Sequence, residues 1–464
     1  MVKRVVLAGG LGLLVLVLTS FLLPGSENSP VAHEARVLAW IQASETPTPG
    51  FGPVVTAAPS PTGQATATPL PTHTPAPPTA TATTAPTEEP TVVTTPVPKL
   101  DGTVMGIQID PGLSEQDFVV MLNLAKRMGV EWIKLQFAWD LMEPESGRLG
   151  TTFYTFRMFV QRADQEGFKV LASVAKAPDW SRASLEEDGP PRDPQALADF
   201  LTRMLNEVRV DLYGNSYFEA IEIWNEPNLR REWNGGTLGG AEYMRYFDAA
   251  YQGIRNGEGG HSVTVVTAGL APTGWDDGVT AIDDRAFLRQ MYEAGLNNAN
   301  YQNIAIGVHP YGAWNPPDSR WCGETECSEY GYDNHPSWFF IHTLEDYHGI
   351  MTEFGDTGRQ LWATEFGWGT YDGFVTSEGE AAAPPADPPY FQYVTLDQQA
   401  AYIVRAFEIG QNLPYVGPMF LWNLNYSNSD LIDAGDARAA YGLLMPGLTD
   451  PLRPAFKQIE QATH

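Results

Sequence analysis

From residue 101 onward, short apolar runs alternate with longer stretches whose apolar positions recur every three to four residues. The runs predict strands at Val104–Ile109, Trp132–Phe137, Lys169–Val174, Ala220–Trp224, Val263–Ala268, Ile304–Val308, Leu361–Thr364 and Pro418–Trp422. The stretches between them predict helices at Ser114–Met128, Phe153–Glu166, Asp193–Leu212, Gly240–Arg255, Ala286–Gly295, Trp338–Tyr347 and Thr395–Gln411. Strands alternating with helices imply βαβ units and a parallel sheet, and eight such strands fit an α/β fold of the (β/α)8 TIM-barrel type with enlarged loops. A doubly wound sheet is the alternative. It would carry a Gly-rich nucleotide turn after an early strand, and none follows Val104–Ile109.

The first hundred residues follow another pattern. Lys3 and Arg4 precede an uncharged run from Val5 to Leu23, close to the length of a bilayer span and longer than most secretory signal cores. Residues 1–26 are therefore read as an N-terminal membrane anchor, with a cleaved signal peptide as the alternative. Basic residues before the run and acidic ones after it fit the positive-inside rule. A short amphipathic helix is expected within Val31–Ser44. Residues 44–100 contain 14 Pro and 16 Thr. Such a segment buries too little apolar surface to offset chain entropy, so 27–100 is expected to be a disordered linker. Residues 101–464 then form the folded domain, on the outer face of the membrane or secreted.

Charge sharpens this division. The net charge of -28 lies almost wholly beyond the linker: residues 1–100 carry only -1. An acidic domain lacks the basic footprint that phosphate requires, so no nucleic-acid partner is expected, and no docking on anionic lipid. The hydrophobic content is sufficient for a full core. Two cysteines make neither a stapled scaffold nor a four-cysteine zinc site, and no His-x-His or HExxH motif occurs, so no metal is expected. Cys322 and Cys327 are expected to form a local disulfide in an oxidising compartment.

A barrel gathers chemistry at the C-terminal ends of its strands. Those ends are rich in aromatic and ionisable residues: Gln136, Trp139 and Asp140 after the second strand, and Lys176, Asp179 and Trp180 after the third. Asn225 and Glu226 end the fourth, His309 and Tyr311 the sixth, Glu365 the seventh, and Trp422 and Asn423 the eighth. The acids Glu143, Glu145, Asp276 and Asp277 are read as solvated loop charge.

Two segments carry the argument: Ile221-Glu-Ile-Trp-Asn-Glu-Pro-Asn228 and Leu361-Trp-Ala-Thr-Glu-Phe-Gly-Trp368. A strand-four end reading Asn-Glu-Pro and a strand-seven end reading Thr-Glu-Phe-Gly resemble clan A of the glycoside hydrolases, with family 39 the nearer likeness and family 5 close by. The resemblance spans about residues 101–460. It implies that Glu226 is the general acid/base and Glu365 the nucleophile. It also implies that Asn225 bonds the sugar 2-hydroxyl, that Tyr311 beside His309 contacts the nucleophile, and that Trp422 lies under the sugar ring. Many clan members have an Arg on strand two; here Lys134 stands in that place.

The chemistry needs these residue types. Cleaving an acetal requires a proton for the leaving oxygen and a negative charge beneath the developing oxocarbenium ion, and two carboxyls about 5–5.5 Å apart supply both with retention. Glu226 is expected to have a raised pKa, through burial and the nearby Glu365. Trp139, Trp180 and Trp422 offer flat apolar faces to sugar C–H groups. Strict alternation would put Asn225 and Glu226 on opposite faces unless the strand ends there, as Pro227 suggests. The reading is a monomeric retaining glycosidase acting on a neutral poly- or oligosaccharide without a cofactor. A non-catalytic glycan-binding surface protein and a transglycosylase are the alternatives.

Overall fold

The computed structural model describes residues 97–323, 335–386, 388–446 and 450–464. The expected anchor, the short helix within Val31–Ser44, nearly all of the linker and Cys327 lie outside those residues. Among the described residues, no helix is long and apolar enough to cross a membrane.

Eight strands form a closed parallel barrel in chain order: β1 (Met105–Gln108), β2 (Trp132–Ala138), β3 (Lys169–Ala175), β4 (Ala220–Ile223), β5 (Thr264–Thr267), β6 (Ile304–Val308), β7 (Leu361–Phe366) and β8 (Val416–Leu421). β8 pairs back onto β1 through Met105–Met419 and Gly106–Phe420, so no edge is left open. The main outer helices are α1 (Glu115–Arg127), α2 (Thr151–Gln165), α3 (Pro194–Val208), α4 (Gly240–Asn256), α5 (Asp284–Glu293), α6 (Phe340–Glu353), α7 (Leu396–Asn412) and α8 (Pro454–Thr463). The first seven lie where the apolar periodicity predicts them; α8 is additional.

Helix starts have local chemical causes. Ser114 accepts from the Asp117 amide ahead of α1, Asp193 caps α3 just before Pro194, and Thr395 with Gln398 forms a capping box on α7. Each helix then lays an apolar face on the barrel, as Phe200, Leu201, Met204 and Leu205 do on α3.

Inside the barrel the side chains form layers. The lowest is apolar: Trp132, Leu171, Ala220, Val266, Ala305, Trp362 and Phe420, one from each strand from β2 to β8. β1 contributes Gly106, where a Cβ would lie 2.4 Å from the Phe420 ring. Two residues further along the same inward rows stand Gln108, Lys134, Ser173, Glu222 and Thr364, all buried. A polar layer in the middle of a barrel is costly unless its members satisfy one another, so this layer points to the site above it.

The upper rim is tied down as well. Arg453, fully buried just before α8, donates to the carbonyls of Ala440 (3.2 Å), Gly442 (2.9 Å) and Thr370 (3.0 Å). It thereby joins the loops that follow β7 and β8. Leu100 is already part of this body: it is buried, and its amide donates to Ala462 at the end of α8 at 2.8 Å.

Candidate active site

The two carboxylates reach the cleft because both strands that carry them break their own alternation. On β7, Trp362 and Thr364 point inward, so a regular strand would turn Glu365 outward. Between Ala363 and Phe366 the register shifts against β8, from Ala363–Met419 to Phe366–Leu421. The extra residue lets Glu365 turn in after Thr364, while Phe366 returns to the helix layer against Phe340 and Phe407. On β4, Glu222 is the last regular inward residue. The strand ends at Ile223, and Trp224 (φ 76°) and Glu226 (φ 43°) are both left-handed. That turn packs Trp224 edge-on against Trp233, with ring centroids 5.4 Å apart, and frees Asn225 and Glu226 from strict alternation.

Glu365 is almost enclosed, 8% exposed, and both of its oxygens accept hydrogen bonds. Lys134 Nζ donates to Oε1 at 2.9 Å, and the Tyr311 hydroxyl donates to Oε2 at 3.0 Å. The Gln108 amide, oriented to satisfy its partners, donates to Oε1 at 3.2 Å and accepts from Trp422 Nε1 at 3.3 Å. Lys134 also lies 3.2 Å from Glu222 Oε2 and donates to the Thr364 carbonyl at 3.0 Å. One buried cation therefore balances two carboxylates. Burial would lower the Lys134 pKa, but Glu222 and Glu365 outweigh it and raise it. On Glu222, burial is likewise outweighed, chiefly by Lys134 and His309, and its carboxyl sits below the usual range.

Glu226 is held on both oxygens. His309 Nδ1 is 3.2 Å from Oε1, and Arg231 Nη2 donates to Oε2 at 3.1 Å. The same His309 Nδ1 lies 4.0 Å from Glu365 Oε2. The two carboxylates thus flank one ring nitrogen, and their oxygens can be no further apart than these two distances laid end to end. A retaining separation of about 5–5.5 Å falls inside that limit.

The electrostatics correct one expectation. Burial does push the Glu226 carboxyl up, but the hydrogen bond from His309 and the charge of Arg231 outweigh it, so the pKa is lowered rather than raised. His309 is the complement: burial lowers it, while Glu365 and the bond to Glu226 raise it more.

Other expected residues divide. Trp422 is half-buried and packs against Tyr311, Tyr426 and Tyr441, at centroid distances of 6.4, 5.7 and 4.9 Å. Asn225 is half-buried beside Glu226. Trp180 is 36% exposed, with its indole nitrogen donating to the Glu143 carbonyl at 3.0 Å. Trp139 does not face the cleft. It is fully buried, stacks on Phe200 at 5.1 Å and donates to Glu143 Oε2 at 2.8 Å, so it offers no surface to a ligand. Glu143 is not solvated either: it is 1% exposed, accepting from Trp139, from the Gly147 amide at 2.6 Å and from Arg203 at 2.6 Å. Cys322 is disulfide-bonded, and its expected partner Cys327 lies outside the described residues.

Sequence reasoning did not find Gln108, Glu222, Arg231 or Tyr441. A lone Gln and a lone Glu at inward positions of otherwise apolar strands were the available signals for the first two. Arg231 had none, because its placement depends on the turn after β4.

Set beside known proteins, the chain is matched over residues 111–394 by the model of the cellulase family, glycosyl hydrolase family 5. No curated protein matches it. Among solved structures it is similar to a family 39 glycoside hydrolase from the gut symbiont Bacteroides cellulosilyticus WH2, with TM-score 0.55 and 19% identity over 78% of this chain. The match spans 63% of that protein's length. A GH5_18 protein from Bifidobacterium longum subsp. infantis is similar at TM-score 0.53 and 10% identity, covering 78% of each chain. A glucosidase from Croceicoccus marinus is similar at TM-score 0.51 and 12% identity, covering 79% of this chain and 67% of the other. At these identities the structural likeness concerns the fold.

Proposed function

The chain belongs to the cellulase family, glycosyl hydrolase family 5, and from that premise we propose that its barrel hydrolyses an extracellular, neutral poly- or oligosaccharide with Glu365 as nucleophile and Glu226 as acid/base. It is a retaining glycosidase of clan A, so the resemblance seen in the sequence stands at the level of the clan. Of the two families considered there, the matching model is that of family 5.

The observation that carries the assignment is the convergence of two carboxylates on His309 Nδ1, one at 3.2 Å and the other at 4.0 Å. Their settings suit different tasks. Glu365 is surrounded by donors: Lys134, Tyr311 and Gln108. Those bonds hold both of its oxygens in place, and a carboxylate is what attacks the anomeric carbon. Glu226 pairs with His309 and Arg231 and lies nearer solvent, where a leaving group and then water can reach it.

In the first step a Glu365 oxygen bonds to the anomeric carbon, the bond to the glycosidic oxygen breaks, and Glu226 gives that oxygen a proton. In the second, Glu226 takes a proton from water as the water oxygen displaces Glu365 and restores the configuration. Asn225 is assigned to the sugar 2-hydroxyl and Trp422 to the face of the ring. Trp180 is assigned to a more distant sugar. The domain is read as a monomer displayed outside the cell by its N-terminal segment.

A neutral substrate fits the net charge of -28, since an anionic polysaccharide would be repelled. The direct test is a hydrolysis screen over polysaccharides and aryl glycosides with product sizing, alongside Glu365→Ala. Turnover of a neutral glycan that vanishes in the variant supports the reading. Turnover that survives in the variant contradicts it.

A further inference from the structure

We propose that Arg231 is a positioning residue for the acid/base: it holds one oxygen of Glu226 in the resting site and must pass to Glu232 before Glu226 can protonate a leaving group. The inference rests on reading Glu226 as the acid/base.

The geometry sets the problem. An acid that protonates a glycosidic oxygen needs one carboxyl oxygen turned to that oxygen and carrying the proton. Here both are occupied, Oε1 by His309 and Oε2 by Arg231. His309 cannot yield easily. Its side chain is wholly enclosed at the end of β6, with Nε2 3.9 Å from Glu222 Oε1 on the opposite side. Arg231 can yield. It lies on the loop after β4, its side chain is 23% exposed, and its Nε makes no hydrogen bond among the described residues.

An acceptor is in place for it. Glu232 Oε1 stands 3.6 Å from Arg231 Nε, just beyond hydrogen-bond distance. Burial pushes the Glu232 carboxyl up to about 7, against the pull of Arg231 and Lys176 and with the push of Glu226 and Asp188. Lys176 is already engaged with Asp188 at 2.8 Å. Two carboxyls therefore compete for one guanidinium. With Arg231 on Glu226, Glu226 is ionised and Glu232 is the group that holds a proton near neutrality. With Arg231 drawn onto Glu232, Glu232 gives up its proton to solvent and Glu226 takes one at the freed Oε2. The net charge of the site is unchanged, which keeps the exchange inexpensive. The aglycone is assigned as the trigger, since its oxygen must meet the freed Oε2 to take the proton.

The other groups facing this pair come from other elements: His309 and Tyr311 after β6, Glu365 from β7, Tyr441 after β8, and Lys176 with Asp188 after β3. Against them Arg231 and Glu232 act in opposite directions on Glu226.

The test is the pH dependence of kcat/KM for the full chain on an unactivated glycoside. Its basic limb reports loss of the Glu226 proton in the free enzyme. Arg231→Gln should move that limb up by about one pH unit or more, because a cation in contact has been removed. Glu232→Gln should move it down, because Arg231 then rests on Glu226 alone. Arg231→Lys should leave it near the parent position. A merely structural role would lower activity without moving the limb. Should Arg231→Gln not fold, Glu232→Gln decides alone: an upward shift or none overturns the inference. Glu226→Gln separates the two readings. If that variant keeps the leaving-group dependence of a lost acid while the limbs do not move, only the role of Arg231 falls. If that dependence is absent, the acid/base assignment falls with it.

Discussion

Lys134 meets Glu365 from below at 2.9 Å, inside the barrel, and the same ammonium stands 3.2 Å from Glu222. At this place on β2 the chain uses a point charge that serves two carboxylates at once. Arg presents a flat fork, whereas Lys offers three donors on a flexible stem. Two of its donors go to Glu365 and the Thr364 carbonyl, and Glu222 is held by charge alone at 3.2 Å.

Lys134→Met should strand two buried carboxylates. Removing one partner from a buried ion pair costs about 3–5 kcal/mol. Without the ammonium the folded-state pKa of Glu222 rises. The deficit is then fully present above that value and fades as pH falls and Glu222 protonates. Urea unfolding at pH 7 and at pH 4 checks this. A deficit of equal size at both would show that Lys134 matters for packing rather than charge.

Tyr311→Phe removes one donor from Glu365 Oε2 while keeping the ring against Trp422 and Tyr441. A hydrogen bond to a charged group contributes about 1.5–3 kcal/mol, so kcat/KM should fall by about 10- to 150-fold. Steady-state kinetics on one substrate measure the loss. Unchanged kinetics would remove Tyr311 from the machinery.

Glu226→Gln should distinguish substrates by their leaving groups. Glycosides that need a proton should slow by orders of magnitude, and aryl glycosides with acidic phenols should slow far less. The plot of rate against leaving-group pKa should steepen relative to the parent. Parallel plots would contradict an acid role.

Away from the site, Glu219 precedes β4 and accepts from the Val170 amide at 2.6 Å, with its carboxyl pushed up to about 7 by burial. An acid raised in the folded state loses stability as pH rises from its unfolded value, about 4.3, through 7. Glu219→Gln keeps an acceptor but cannot ionise. Its Tm should match the parent near pH 4 and exceed it at pH 8. A variant less stable than the parent at pH 8 alone would show that the charge itself is needed.

Much of this was legible in the residues. β6 runs over Ile304–Val308 as its apolar run predicts, because parallel strands buried on both faces read as continuous hydrophobic stretches. Glu226 and Glu365 stand out because chemistry concentrates where such strands stop. What alternation could not show is how they face one cleft. That required a register shift on β7 and two left-handed residues after β4, neither of which has a fixed residue signature. Trp139 misled for a related reason. It follows a strand end, as a ligand-facing Trp would, but the short helix Trp139–Met142 begins at once and turns it into the core. The raised pKa expected of Glu226 followed from burial and Glu365 alone. Arg231 and His309 reverse it, and both reach Glu226 only through the folded loop geometry. α8 lies after the last strand, where no further βα unit was required and a single amphipathic turn pattern carried little weight.

If Glu365 is the nucleophile, it forms a covalent bond to the sugar. Incubating the enzyme with 2-deoxy-2-fluoro glycosides bearing a good leaving group, matched to the sugar found in the screen, and mapping the label by mass spectrometry tests it directly. One added glycosyl unit should appear on the peptide carrying Glu365, and none in Glu365→Ala. A label on Glu222 or Glu226, or a first-formed product of inverted configuration from the natural glycan, would contradict it.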